Sequence, residues 1–518
     1  MMSVAIIGAG IGGLSAALEL AAKGVKVTVF EAASAPGGKI GVGQHDGVEF
    51  DTGPSLLTMP EVFEDLFRLA GTSLADEVEL VESAPYMRYH YPDGVRLDIY
   101  PDLDQSIAAI GQQLGSRASG EFADFMRYAG KIWESAAPNF IFSQAPSLGS
   151  MARLGLSSLT TLWSIDPLHT MLESIDKRVE SQHLRHLLAR FATYNGSDPR
   201  SAPATLNCIA WVEMGQGARG VRGGIIELAR ALHRRALALG VDFRFDSPVL
   251  RLHRPSGAGE ARGVETASGV FKADAVVVNA DVRHLVETLL PGANIASASS
   301  NNDESSLNAD APASMSGWTG VIRAKRRPEG ERLGHEVFFP EDYIQEFRDI
   351  FDHKRAPTDP TVYVCAQEKA HQRTGWAEDE ALFIMANAPP ESSEVQSSAQ
   401  DWAPLRDAML KRLRNAAAID PGDALIWERS PAQLAAQFPG SRGALYGAAS
   451  NSKFAAFQRP QNRVKEIPGL YLASGSAHPG GGVPLCAQSG RLAAQAIHED
   501  FGRSQKQKSP ARFTKRHT

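Results

Sequence analysis

A chain of 518 residues exceeds the usual span of one domain, so two or three domains with large cores are expected. Its 53 basic and 59 acidic residues leave a net charge of −6, so there is no strongly basic body to meet nucleic acid. Cys208, Cys365 and Cys486 are too few and too scattered for a disulfide framework or a zinc site. No metal is therefore expected, and a reducing, cytoplasmic setting is.

The apolar run Val4-Ala5-Ile6-Ile7 predicts a strand, and the alanine-rich stretch from Leu14 to Ala22 predicts a helix. Between them stands Gly8-Ala9-Gly10-Ile11-Gly12-Gly13, the pattern of a dinucleotide-binding turn. Gly8 permits the tight turn, Gly10 lets backbone approach a pyrophosphate, and Gly13 lets helix and strand pack closely. The helix N-terminus adds free N–H donors and a positive dipole end. Gly24 ends the helix, Val25 to Phe30 alternates as a second strand, and Glu31 stands at its end, eighteen residues after Gly13. A carboxylate there binds ribose hydroxyls and repels a 2′-phosphate, which argues against NADP. The alternative is a glycine turn that serves packing alone, with a surface Glu. No basic and apolar leader precedes the first strand, so no signal peptide is expected. No run approaches the roughly 20 apolar residues of a membrane span.

Pro36-Gly37-Gly38-Lys39 follows directly, and Phe50-Asp51-Thr52-Gly53-Pro54 soon after. A second glycine pair with a cation suits FAD, whose pyrophosphate and ribityl chain need close backbone approach from another loop. An NAD domain moves on to another βα unit instead. Two ordinary turns are the alternative.

From about 100 to 205 the chain is expected to be mostly helical, with Asp102 and Ser119 as caps. Phe122, Phe125, Met126, Ala129, Ile132 and Trp133 recur at helical spacing. Phe140-Ile141-Phe142, Leu154, Leu156, Leu159, Leu162 and Trp163 extend the apolar character. This stripe is either buried core or a surface that dips into the lipid interface. Gly223-Gly224 then opens a helix ending near Gly240, followed by strands at Val241 to Phe245, Val249 to Leu252 and Ala275 to Val278. Residues 292–314, small and polar, are expected to form a mobile loop, either an active-site lid or a disordered insertion.

Gly469 to Gly475 predicts a buried strand running into a glycine loop. Ser476-Ala477-His478-Pro479-Gly480-Gly481-Gly482-Val483-Pro484 leads into a helix from Leu485 to His498, with a proline tolerated in its first turn. Such a helix N-terminus holds the electron-rich edge of a flavin and stabilises negative charge on the reduced ring. Arg503, Lys506, Lys508, Arg512, Lys515 and Arg516 make a basic tail, suited either to anionic lipid headgroups or simply to solvent.

The N-terminal run through Gly53-Pro54, the segment Val276-Val277-Val278-Asn279-Ala280-Asp281 and the loop His478 to Pro484 together resemble the bacterial phytoene desaturase family of FAD-dependent carotenoid desaturases. Phe438-Pro439-Gly440-Ser441, Gly443 to Gly447, Thr361 to Gln367 and Ser489-Gly490-Arg491 are most like its 1-hydroxycarotenoid 3,4-desaturase branch, which includes the methoxyneurosporene dehydrogenases. Many phytoene desaturases carry Phe-Arg-Pro-His-Asn before the last strand. Here Phe457-Gln458-Arg459-Pro460-Gln461-Asn462 adds a residue and lacks the His, which makes phytoene a poorer candidate substrate.

The resemblance implies an α/β fold: a Rossmann-like FAD-binding domain of the amine oxidase or glutathione reductase type, with a discontinuous substrate domain of mixed sheet and helical lid. Residues 1–75, 218–290 and 462–502 would form the first, and 76–217 and 312–461 the second, with 503–518 a disordered tail. FAD would be held by Gly8, Ala9, Gly10, Gly12, Gly13, Glu31, Gly38, Lys39, Gly53, Pro54, Gly475, Gly482 and Val483. Val249 would meet the adenine side through its backbone, although a packing role suits it equally. The substrate would be an acyclic carotenoid, insoluble in water, which implies peripheral contact with the inner membrane from the cytoplasm.

The expected chemistry removes two hydrogens from a C–C bond beside a conjugated polyene, as an allylic hydride to the flavin and a proton from the neighbouring carbon. No strong base is required. His478 is the titratable residue in the flavin loop, for proton movement, for hydrogen bonding or as a structural cap. For recognition of a substrate hydroxyl, His335, Tyr343, Arg442 and Tyr446 are among too many polar residues to choose from. One dinucleotide fingerprint disfavours NAD as acceptor and leaves oxygen or a membrane quinone. A phytoene desaturase, a carotenoid isomerase, a flavin amine oxidase and a non-catalytic isoprenoid escort protein remain alternatives.

Overall fold

The computed structural model describes residues 2–144, 165–254, 261–290, 307, 311–391, 401–452 and 459–508, with side chains as far as residue 502. Ser3–Ile7 lies at the centre of a five-stranded parallel sheet. Lys26–Phe30 and then Asp242–Arg244 lie on one side, Ala275–Val278 and then Leu470–Leu472 on the other. Strands thus come from three distant parts of the chain. Their near-continuous apolar sequences follow from burial on both faces.

Alternate residues serve the two faces. Val4, Ile6, Val27, Val29, Ala275 and Val277 pack beneath helices Ile11–Ala22, Ile226–Ala238 and Val483–Lys508. Ala5, Ile7, Phe30, Val276 and Val278 face a small antiparallel sheet of Val249–Leu252, Gly263–Thr266 and Gly269–Lys272.

The second unit is built on a seven-stranded mixed sheet in the order Ala424–Arg429, Ser316–Lys325, Asp379–Ala388, Val362–Ala366, His335–Phe338, Met87–His90, Arg96–Ile99. Its neighbours are antiparallel except His335–Phe338 with Met87–His90. Helices Leu103–Leu114 and Ser116–Ala136 cover it. Phe122, Phe125, Met126 and Ala129 are completely buried there and Ile132 in the core of the parallel sheet, so this part of the apolar stripe is core. Leu154, Leu156, Leu159, Leu162 and Trp163 lie outside the described residues.

Asp102 caps the first of these helices, accepting the Gln105 N–H. Ser119 caps nothing: the second helix starts at Gly115, whose φ of +89° breaks the chain direction, and the Ser119 hydroxyl turns back to Ser116 O inside it. The last helix runs to Lys508, past the expected boundary at 503, whereas 509–518 and most of 292–314 lie outside the described residues. Among the described residues no helix is long and apolar enough to cross a membrane.

Candidate functional site

The turns leaving the parallel strands meet at the sheet's carboxyl edge, the usual place for a ligand in open α/β sheets. Gly8 takes φ +97° and donates its N–H to Phe30 O at 2.8 Å. A Cβ on Gly12 would lie 2.0 Å from Ala473 O, and one on Gly13 2.1 Å from Gly8 O, so neither position admits a side chain. Asn279 Oδ1 accepts the Gly13 N–H at 2.9 Å, tying the end of strand Ala275–Val278 to the glycine turn. Gly10 caps the helix without a side chain, which leaves N–H groups of the first turn for an anion.

Glu31 stands beside this turn. Its carboxylate accepts the Ala9 N–H at 2.6 Å and the Ala33 N–H at 2.9 Å, and its remaining lone pairs suit ribose hydroxyls. Ser247 donates its N–H to Glu31 O at 2.8 Å, which brings the chain past the acidic strand end two residues before Val249.

The second glycine pair lies directly on the first. Gly37 donates its N–H to Ala9 O at 3.0 Å, and a Cβ on Gly38 would come within 3.2 Å of Gly10 Cα. A Cβ on Gly53 would be 2.4 Å from Lys39 O, so Gly53-Pro54 closes over the same loop. Lys39 Nζ donates to Ala444 O at 2.7 Å, and burial lowers its pKa against the pull of Asp281.

Asp51 is a hub that sequence reasoning missed. Arg373 donates to its carboxylate at 2.6 Å and the Ile225 N–H at 2.8 Å. Gln367 holds both its backbone N–H and its carbonyl. Burial pushes the Asp51 carboxyl up to about 6 despite Arg373. Its partners lie 174 to 322 residues away, beyond any local motif.

At the far end of the chain, Gly482 takes φ +113° and a Cβ there would meet nothing within 4 Å. Open space therefore lies over the N-terminus of helix Val483–Lys508. Arg459, 7% exposed, clasps this loop: it donates to Gly475 O, Tyr446 O, Ala448 O and Asn195 Oδ1 at 2.9 to 3.0 Å. Asn462 Nδ2 donates to Leu472 O, His478 O and Ser489 Oγ. Arg459 and Asn462, from the segment that departs from the Phe-Arg-Pro-His-Asn pattern, are thus the clamp of the glycine loop.

His478 is 5% exposed, with Nε2 3.0 Å from Ser143 O. A carbonyl only accepts, so Nε2 carries the hydrogen, and burial holds the imidazole down to about 4. The side chain tethers the glycine loop to the helical region. Between pH 6.5 and 4 the unfolded chain takes up a proton that the folded one refuses. Stability present above pH 6.5 is lost as pH falls through that window, by up to about 1.4 kcal/mol per pH unit. His478→Gln, which keeps a neutral donor for Ser143 O, is expected to flatten this part of the acid-unfolding curve, measured by thermal melts from pH 7 to 4. An unchanged curve would contradict the assignment.

An uncapped helix start, two glycine loops in backbone contact, an acidic strand end and open space over a second helix start together fit FAD. Among the described residues no three His, Cys, Asp or Glu side chains gather as a metal site.

Residues 11–303 match the family model of flavin-containing amine oxidoreductases. The chain is 36% identical over 504 residues to a hydroxyneurosporene desaturase of Rubrivivax gelatinosus, covering 95% of this chain and 93% of that protein. It is 30% identical over 505 residues to a 1-hydroxycarotenoid 3,4-desaturase of a Flavobacterium species, covering 96% and 99%. An oxidoreductase of Methanosarcina mazei shares the fold, with a TM-score of 0.60 at 16% identity over 96% of this chain and 100% of the other. The cofactor is FAD and the protein is a flavin-dependent oxidoreductase. The chain belongs to the flavin-containing amine oxidoreductase family, among its carotenoid desaturases.

Proposed function

We propose that the protein introduces the C-3,4 double bond into an acyclic 1-hydroxy or 1-methoxy carotenoid during carotenoid biosynthesis. The observation that carries this reading is the near full-length similarity to a hydroxyneurosporene desaturase, together with glycine loops that keep their close backbone approaches at both ends of the chain. Bound FAD supplies a two-electron acceptor for an allylic hydride. The helix start at Val483 would favour negative charge on the reduced group. The neighbouring carbon loses a proton, which passes to solvent, and the polyene spreads the positive charge as it develops. What remains for the protein is to position the chain and exclude water.

Oxygen or a membrane quinone is the proposed acceptor, reached from the cytoplasmic side of the inner membrane. Phe142 and Leu168, 39% and 56% exposed, support contact with lipid on the helical side. A substrate deuterated at C-3 and C-4 tests the chemistry: the product is expected to have lost one label from each carbon and to absorb further to the red. Retention of both labels, or a product heavier by oxygen, would contradict it.

A further inference from the structure

The substrate-side unit buries a polar cluster that none of this uses. Arg190, 8% exposed at the start of the turn Arg190–Asn195, donates from Nη1 to Tyr194 Oη at 3.1 Å and Tyr89 Oη at 3.5 Å. Its guanidinium carbon lies 5.2 Å from the Tyr194 ring centre and 5.7 Å from those of Tyr89 and Tyr363. Glu213, 1% exposed on the turn Trp211–Gly215, faces Arg190, Tyr86 and Tyr194. Yet the Glu213 oxygens meet their neighbours, the hydroxyls of Tyr86 and Tyr194, only outside good hydrogen-bonding geometry, and the Tyr343 hydroxyl has no partner. Such atoms around one buried cation need a reason, because buried polar groups are nearly always satisfied by protein, water or ligand.

Two contacts place the cluster beside the FAD loops. Tyr363 Oη lies 2.6 Å from Ser55 Oγ and 2.7 Å from His335 Nδ1, and Ser55 directly follows Gly53-Pro54. On the other side Tyr446 lies against the last glycine loop, since a Cβ on Gly481 would come within 2.8 Å of Tyr446 Cα. The same Tyr446 feels the Arg190 charge.

Bond geometry says where a hydroxyl-binding group has to be. In a 1-hydroxy carotenoid the oxygen is three bonds from C-3, each about 1.5 Å, so it sits within about 4 Å of the bond to be desaturated. A subsite for it therefore belongs next to the flavin and not at the remote end of a tunnel. We propose that Arg190, Glu213, Tyr86 and Tyr194 bind the 1-hydroxyl group of the substrate. This rests on the desaturase reading above and adds the residues that choose the end group. The alcohol oxygen accepts from the Arg190 and tyrosine donors, and its hydrogen is donated to Glu213. The rings of Tyr89 and Tyr363 are left for the two methyl groups on C-1. A site built to hydrogen-bond a hydroxyl rejects the analogue without one, because its buried polar groups then stay unpaired.

The test uses FAD-loaded protein, reduced with dithionite without oxygen so that it does not turn over. It is titrated with an acyclic carotenoid carrying a 1-hydroxyl and with the same chain lacking it, in detergent micelles, following the carotenoid spectrum. The wild type is expected to bind the hydroxylated chain at least tenfold more tightly. Glu213→Gln and Tyr86→Phe, which keep the side-chain shape, are each expected to reduce that preference to threefold or less while FAD stays bound. If one variant fails to retain FAD, the other decides. An unchanged preference in a FAD-loaded variant of both kinds overturns the proposal. Equal binding of the two carotenoids by the wild type also overturns it, and leaves the desaturase reading standing. Binding of neither overturns both.

Discussion

Gly12→Ala is expected to purify without its yellow colour and to melt well below the wild type. The added Cβ would stand 2.0 Å from Ala473 O and 3.1 Å from Cys486 O. Both neighbours are backbone: one leaves the last parallel strand, the other lies in the first turn of the last helix. Neither can rotate aside. The same contact is tight from the other direction, where a Cβ on Gly490 would meet Gly12 O at 2.2 Å. Relief therefore requires the last helix to move off the first, which separates the two helix starts that frame the proposed FAD site. Overpacking of this kind costs about 1 to 3 kcal/mol. If FAD affinity carries most of it, binding weakens by about a hundredfold, equivalent to roughly 2.7 kcal/mol. Flavin absorbance per protein after dialysis, read beside a thermal melt, checks this. Full FAD content at an unchanged melting temperature would contradict it.

Arg459→Gln is expected to be comparably damaging through a different cause. Four acceptors on Gly475, Tyr446, Ala448 and Asn195 share one guanidinium. Glutamine offers two donors on a shorter stem and leaves at least two of them unpaired in the interior. At about 1 to 3 kcal/mol for each orphaned group, the loss is several kcal/mol. Since those acceptors belong to the last glycine loop, the loop that faces it and the turn after Tyr194, FAD retention and substrate binding should fail together. Urea unfolding measures the first effect and FAD release the second. Arg459→Lys is expected to recover only part, because a compact ammonium lacks the planar fork that spans four acceptors. Wild-type stability in Arg459→Gln would show that the clasp is dispensable.

What could be read from the chain was whatever is local. Gly8 to Gly13, the strand ending at Glu31, the Gly38 loop and the start of the last helix near Val483 each announce themselves within a dozen residues, because strand period, turn glycine and helix start are short-range properties. The partners of these residues are not local. Asn279 reaches Gly13 across 266 positions and His478 reaches Ser143 across 335, and nothing in either segment records the other. The polar candidates for end-group recognition make the same point. His335, Tyr343 and Tyr446 all come to lie near Arg190, whereas Arg442 lines a separate surface pocket with Glu287 and Glu391. Arg190 and Glu213 drew no notice in the sequence, since a lone Arg and a lone Glu within helical stretches look like solvated surface until burial shows otherwise. Ser119 was misleading for the opposite reason: capping chemistry is common, and the positive φ that stops a helix at Gly115 is a property of backbone.

Electrons from a carotenoid C–C bond are expected to pass to FAD in this protein. A single turnover without oxygen tests it: FAD-loaded protein is mixed with a 1-hydroxy acyclic carotenoid in liposomes, and flavin and carotenoid spectra are followed together. Bleaching of the oxidised flavin is expected in step with a red-shifted carotenoid, one double bond for each FAD reduced. A flavin that stays oxidised while the carotenoid spectrum is unchanged would contradict it for this substrate, and a carotenoid that changes with no flavin reduction would contradict the redox chemistry itself.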